Sequence, residues 1–313
     1  NAAQVAALCQ AQGVPAGALP SFTSPALDVP GTLRGNPTLK PEVASTYSVG
    51  FVFTPHFGGA MTRELGASVD YFHIKIDGAI AGVGAQQILE NCFNATGGNP
   101  GYSDSNFYCQ QITRNPSTGY ITLAKQFSEN IGAFVTDGVD VEGHWGFALH
   151  DLGLPERAGG IMIQSYLTYL RSIIVSGVPG VPTLDYSGAI GDTTTAFAMD
   201  GSSLSDLSHP RWKANTTLGY AVGPISAALH WRYIDAQQDW INGPGSGPGI
   251  PAYSYFDFDA SWQATSQIQV TAGMTNMFDK APPLVVGYNF VTDAATYDIV
   301  GRTYYVGLKA DLD

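Results

Sequence analysis

The chain has 313 residues, enough for one large all-β unit or two ordinary domains. Its 14 Lys and Arg against 26 Asp and Glu leave a net charge of -12, which excludes a cationic, phosphate-neutralising nucleic-acid binder. Charged residues are only 13%, about half the usual share, whereas 37 glycines and 12% aromatics are abundant, a profile that suits strands in lipid better than a soluble enzyme.

No run of about 18 apolar residues occurs, so no helix is expected to span a bilayer and a membrane reading rests on strands. The opening NAAQVAALCQ lacks the basic stretch and continuous apolar core of a signal peptide. Cys9 in this segment has no obvious mate. Residues 1–44 continue through RGNPTLKPE, where Pro37 and Pro41 cannot extend a ladder and punctuate a loop. Lys40 and Glu42 pair there or are simply solvated.

Strands are predicted over 45–55 and 64–77. The second changes phase: Val69 and Tyr71 face one way, Phe72, Ile74 and Ile76 the other. His73, Lys75 and Asp77 therefore mark a strand rising out of the bilayer into a solvated rim. The long segment 79–132 follows, with QQILENCF read as a short helix and NPSTG (115–119) as a turn. Cys92 and Cys109 lie some seventeen residues apart in this polar stretch and read as a disulfide, hence an oxidising compartment. Zinc is the competing reading, but no His or further Cys completes a four-ligand set.

Further strands are predicted over 133–148, 159–174, 209–222, 224–239, 253–264, 267–279 and 301–312. In ISAALHWRYID, Ile225, Ala227, Leu229, Trp231 and Tyr233 form one face, opposed by Ser226, His230 and Arg232. YFDFDASWQ sets Phe256, Phe258, Ala260 and Trp262 against Asp257, Asp259 and Ser261, and WKANTTLGY sets Trp212, Ala214, Thr216, Leu218 and Tyr220 against Lys213, Asn215 and Thr217. A transmembrane β-strand needs about 9–11 residues of such alternation, with aromatics at the two interfaces. A soluble sandwich also alternates. Against it, Trp and Tyr fall at strand ends, and short connections alternate with the long segments 79–132, 176–208, 241–252 and 281–300.

The predicted fold is therefore an all-β, antiparallel transmembrane β-barrel, of which about nine strands are present. An odd antiparallel set left open would expose two unpaired edges to lipid. The economical reading is the C-terminal part of a larger barrel, with residues 1–44 the end of an extracellular loop and 45–313 the barrel strands. Cys9 is then expected to bond to a segment outside this chain.

Chemistry-bearing constellations are sparse. Asp140, Glu142 and His144 line one strand face and could bind metal or move protons, but a lumen wall is polar everywhere and that reading is preferred. Ser226 and His230 share a face about two pleats apart, too far for a nucleophile and its base. No G-x-S-x-G occurs, and GPGSGPG (243–249) lacks the Lys-Ser/Thr of a phosphate loop. No catalytic residue, metal site or cofactor is assigned, and the chain is read as not an enzyme.

RGNPTLKPEVASTYSVGFVF resembles the GNP-x-LKPE-x-S signature of TonB-dependent outer-membrane receptors, and ASVDYFHIKIDGAI follows as it does in that family. HPRWKANTTLGY, AYSYFDFDASWQAT, VTAGMTNMFDKAPP and GRTYYVGLKADL resemble its last strands in the same order. The resemblance implies a 22-stranded barrel in the bacterial outer membrane, of which this chain supplies about the last nine strands, with an N-terminal plug and a TonB-contacting box in the N-terminal remainder. It also implies active uptake of a bulky nutrient: a ferric siderophore, cobalamin or a saccharide. A passive porin-like or structural barrel piece is the alternative. The family usually ends on an aromatic residue, whereas Leu312 takes that place here and Asp313 follows. Cysteines in the loop before this signature in related sequences fit the lone Cys9. Aromatic and polar loop residues Tyr186, Trp240, Tyr288 and Asn289 are the candidate ligand contacts.

Overall fold

A computed structural model describes residues 1–22, 31–55, 59–176, 183–190, 208–240, 245, 247–285 and 292–311. The period-two segments all become strands of one sheet: β1 (Val43–Phe53), β2 (Glu64–Val83), β3 (Ile121–Ala148), β4 (Gly160–Ser176), β5 (Trp212–Val222), β6 (Ile225–Ile234), β7 (Tyr253–Gln263), β8 (Ile268–Thr275) and β9 (Thr303–Ala310). They lie side by side in chain order, each antiparallel to the next. This up-and-down order is what short hairpin turns at one end dictate. Among the described residues the sheet is open: β1 and β9 end the path, and every residue of both is exposed.

Register carries the alternation from strand to strand. Leu229 stands opposite Leu218 on one side and Phe258 on the other, and Phe258 opposite Met274, which gives an unbroken apolar row. One residue along, His230 stands between Thr217 and Asp257, which gives a polar row on the other face. A slip of one residue would turn every row over, so the two-faced pattern itself holds the register.

β2 and β3 are longer than the alternation predicts, at 20 and 28 residues. The change of phase after Tyr71 occurs without a break in pairing with β3, which stays in register from Glu64 to Asp77; a β-bulge follows between Asp77 and Ile80, where Gly78 adopts φ +64°. Pairing resumes beyond it and continues to Val83 opposite Phe127, because the two arms satisfy each other's backbone groups. The RGNPTLKPE segment straps this irregularity. Glu42 accepts a hydrogen bond from the Ile80 N–H at 2.6 Å, and the Asn130 amide donates to the carbonyls of Lys40 and Gly78. Asn36 donates to the Ser128 carbonyl. At the bulge itself, Glu42 thus satisfies the Ile80 N–H and Asn130 the Gly78 carbonyl.

Above the bulge, the strand Gly31–Arg34 adds in parallel to Ala124–Phe127. Helix α1 (Ala2–Ala11) and helix α2 (Ala85–Cys92) complete a small module on the same arm. Cys92 and Cys109 form a disulfide within it, with Cα atoms 4.8 Å apart. Leu8 of α1 is buried against both cysteines, and Ile88 of α2 packs with Val83 and Phe127. Gln12 accepts from Arg114, which also donates to the Gly119 carbonyl in the expected NPSTG turn. Burial raises the Cys9 thiol pKa, opposed by the Arg114 charge, and Cys9 is part-exposed and unbonded among the described residues.

Candidate functional site

Antiparallel order puts the four long connections at one end of the sheet and the short turns at the other. At the long-loop end, Leu184–Asp185 pairs with Ile174 and Val175 of β4, and Ala189–Ile190 pairs in parallel with Gln238–Asp239. Single bridges join Ile190 to Ser208 and Gln237 to Ile250. Three connections thereby share one core of Ile190, Ile250, Val285 and Tyr297, seated on Ile234 and Tyr255 at the strand ends.

Of the four candidate ligand contacts, the structure brings two together. Tyr186 is 7% exposed and packs on Ala79, Ile173 and Val175, with its ring 5.8 Å from that of Trp240. Trp240 is half-buried, and its indole N–H donates to Gln238 at 3.0 Å. Tyr288 and Asn289 lie outside the described residues.

A stronger constellation was not singled out from sequence. Arg232, on the same face of β6 as Ser226 and His230, donates to Asp257 through Nε and Nη2 at 2.8 and 3.2 Å. It also donates to Asp298 of the last long connection through Nη1 and Nη2 at 3.0 and 2.6 Å. Its guanidinium lies 5.0 Å from the Tyr255 ring centre, a cation–π contact. Alternation alone places Arg232 and Asp257 on one face of neighbouring strands. Asp298, sixty-six residues from Arg232, carries no comparable signal.

Nearby, the Ser208 N–H and the Ala295 N–H donate to the two oxygens of buried Asp293. His209 is held by backbone bonds to Gly188 and Ala189. Burial brings its pKa down to about 4, helped by the Lys213 charge and opposed by Asp293. His209 is therefore neutral at pH 7.

Along the wall, Asp140 accepts from Thr168 at 2.6 Å and stands opposite Asp70. His230 meets Thr217 at 3.0 Å and Asp259 at 2.6 Å, while Ser226 meets Ser261 at 2.8 Å. Ser226 and His230 thus have separate partners. The Thr217–His230–Asp259 chain sits mid-strand across β5, β6 and β7, where the ladder consumes the backbone N–H groups that an oxyanion would need. A recess of about 580 Å³ near the short-turn end is lined by Glu64, Met162, Gly219, Ser226, Ala228 and Asp259, away from the long loops. Lys75 and Asp77 pair at 2.8 Å in solvent, as a rim would.

The model of the TonB-dependent receptor-like β-barrel matches residues 15–277. No curated protein matches the chain by sequence. Among solved structures, a variant of the ferric enterobactin receptor PfeA from Pseudomonas aeruginosa is similar, with 20% identity and a TM-score of 0.52 over 90% of this chain and 32% of that one. The siderophore receptor PirA from Acinetobacter baumannii is also similar, with 20% identity and a TM-score of 0.51 over 89% and 33%. At this identity the likeness speaks for the fold, and the chain spans about a third of the length of these receptors. With most of its strands inside the matched region, the chain belongs to the TonB-dependent receptor family, through that family's β-barrel.

Proposed function

We propose that this chain supplies C-terminal wall strands and outer loops of a TonB-dependent transporter in the bacterial outer membrane. Its cargo is a bulky nutrient, a ferric siderophore, cobalamin or a saccharide, drawn in with energy from the inner membrane. The observation that carries the reading is the two-faced antiparallel sheet whose long connections pack together at one end. Such a wall separates lipid from an aqueous lumen, and loops gathered at its mouth are where a ligand is met. Family membership supports the same reading.

In this proposal residues 1–44 end an extracellular loop, and 45–313 form the last strands of a 22-stranded barrel. Its partners are the N-terminal remainder with the plug, the TonB complex reached through that remainder, and outer-membrane lipid. Open edges at β1 and β9 are consistent with further strands, since unpaired backbone in lipid is costly. Trp240, with Tyr186 behind it, and Tyr288 and Asn289 contact the ligand. The polar lumen row of Asp140, Glu142 and His144 is wall and carries no assigned chemistry.

The experiment is ligand binding to outer membranes from cells that produce the intact receptor, against membranes without it. Radio-iron siderophores, cobalamin and oligosaccharides are the probes. Saturable binding of one class supports the proposal. Saturable binding of none, together with unassisted flux of small sugars through the reconstituted protein, would favour a passive pore instead.

A further inference from the structure

We infer that the described parts of three long connections move as one lid over the lumen side of the mouth, and that Arg232 is the latch holding it to the wall. The pieces are 183–190 with 208–211, 235–240 with 247–250, and 276–285 with 292–298. The inference does not depend on which nutrient is carried.

Cross-links between these pieces make them one body. Gly188 donates to the His209 carbonyl at 2.6 Å, and Gln238 donates to the Gly188 carbonyl at 2.8 Å. Trp240 donates to the Ile190 carbonyl at 2.9 Å. The third connection joins through Ser208 to Asp293 and through the Gln237 amide to the Tyr297 hydroxyl at 2.6 Å. Ile190, Ile250, Val285 and Tyr297 then share one apolar core. Displacing any one piece breaks contacts with both others.

The seam beneath this core is poorly satisfied. Ser208 Oγ, Gln237 Oε1 and Thr292 Oγ1 are buried and have no hydrogen-bond partner among the described residues. Buried polar groups are normally paired, and each one left unpaired favours any state that lets solvent in. The closed seam is thus biased towards opening. The Leu184–Asp185 ladder on β4 ties down the first piece, whereas the far end of the third needs a tie of its own.

Arg232 is placed to supply it. One edge of its guanidinium grips Asp257 of β7 and the other grips Asp298 of the lid. Asp257 is itself fixed by the Asn276 N–H at 2.7 Å, where the lid leaves β8. Among the described residues, Arg232–Asp298 is the ion pair that crosses from lid to wall. A bidentate charge-assisted pair is strong and geometrically exacting, and the three side chains are 18–30% exposed, so solvent can compete for it. Because Arg232 lies on the lumen face, release would move 292–298 away from the lumen.

The test is hydrogen exchange by mass spectrometry on the intact receptor in liposomes, comparing wild type with Asp298→Asn, which keeps shape and removes the charge. Peptides from 184–190, 208–211, 236–240, 247–250 and 292–298 should all exchange at least ~10-fold faster. Those from 85–114 and from the β5–β6 hairpin should be unchanged. Arg232→Lys, which keeps the charge but loses the fork, should accelerate the same set to a smaller extent. It serves alone should Asp298→Asn fail to assemble, as judged by heat-modifiable gel mobility. Acceleration confined to the peptide carrying the substitution, or no acceleration, overturns the inference.

Discussion

Leu229 and Ser226 lie three residues apart on β6 and meet opposite media. Leu229 stands between Leu218 and Phe258, whereas the Ser226 hydroxyl meets Ser261 at 2.8 Å. Leu229→Arg should cost roughly 2–4 kcal/mol near the bilayer midplane, and Ser226→Arg should be tolerated. Urea midpoints of the barrel in liposomes measure this, and equal losses at both positions would contradict the assigned faces. His209 sets a pH dependence. Its pKa is near 4 in the folded loops against an ordinary 6.5, so the unfolded or opened state binds the extra proton. The stabilisation it reports is complete above pH 6.5 and is lost as pH falls through 6.5 towards 4, by roughly 3 kcal/mol in all. Exchange of peptides 184–190 and 208–211 should quicken over that window, and a His209→Gln variant that quickens equally would refute the assignment. Much at this scale was legible, because side-chain direction in a strand follows from parity: Arg232 and Asp257 share a face by counting. Tyr186 was not legible. An aromatic in the polar stretch TLDYSG gives no sign that it will be buried under Trp240, since that contact is between loops distant in sequence.

At the scale of elements, the β2–β3 arm departs most from the sequence reading. A 28-residue strand extends roughly 90 Å, far beyond the ~25 Å apolar band of a barrel, so its upper half stands in solvent. The sequence signalled where the lipid-facing phase stops, after Tyr71, but not that pairing continues past the irregularity between Asp77 and Ile80. Alternation reports which medium each face meets, whereas the extension is held by Glu42, Asn36 and Asn130, which bond backbone. The helix at QQILENCF and the Cys92–Cys109 bond were both legible from local pattern. The bond closes a loop of 17 residues, worth about 3 kcal/mol in the chain-entropy picture. Replacing both cysteines by Ser should therefore loosen α1 and α2 first, because Leu8 packs directly on the disulfide. Limited proteolysis should then cut between 93 and 108 while β5–β8 stays intact. Equal resistance with and without the bond would show that the module does not depend on it.

For the whole molecule, nine strands and their order followed from alternation and from short turns alternating with long connections. Loop packing did not, because the hydrogen bonds that build the lid join residues up to 85 apart. Cys9, part-exposed and unbonded among the described residues, tests the proposed continuation of the barrel. Non-reducing mass spectrometry of the intact outer-membrane protein should find it disulfide-bonded to a segment outside this chain, and a free thiol would contradict that. The central claim is energised uptake. It is tested most directly by accumulation of the bound nutrient in cells producing the intact receptor, with and without a functional TonB. The account predicts binding in both strains and accumulation only where TonB works. Equal accumulation in the two would contradict it.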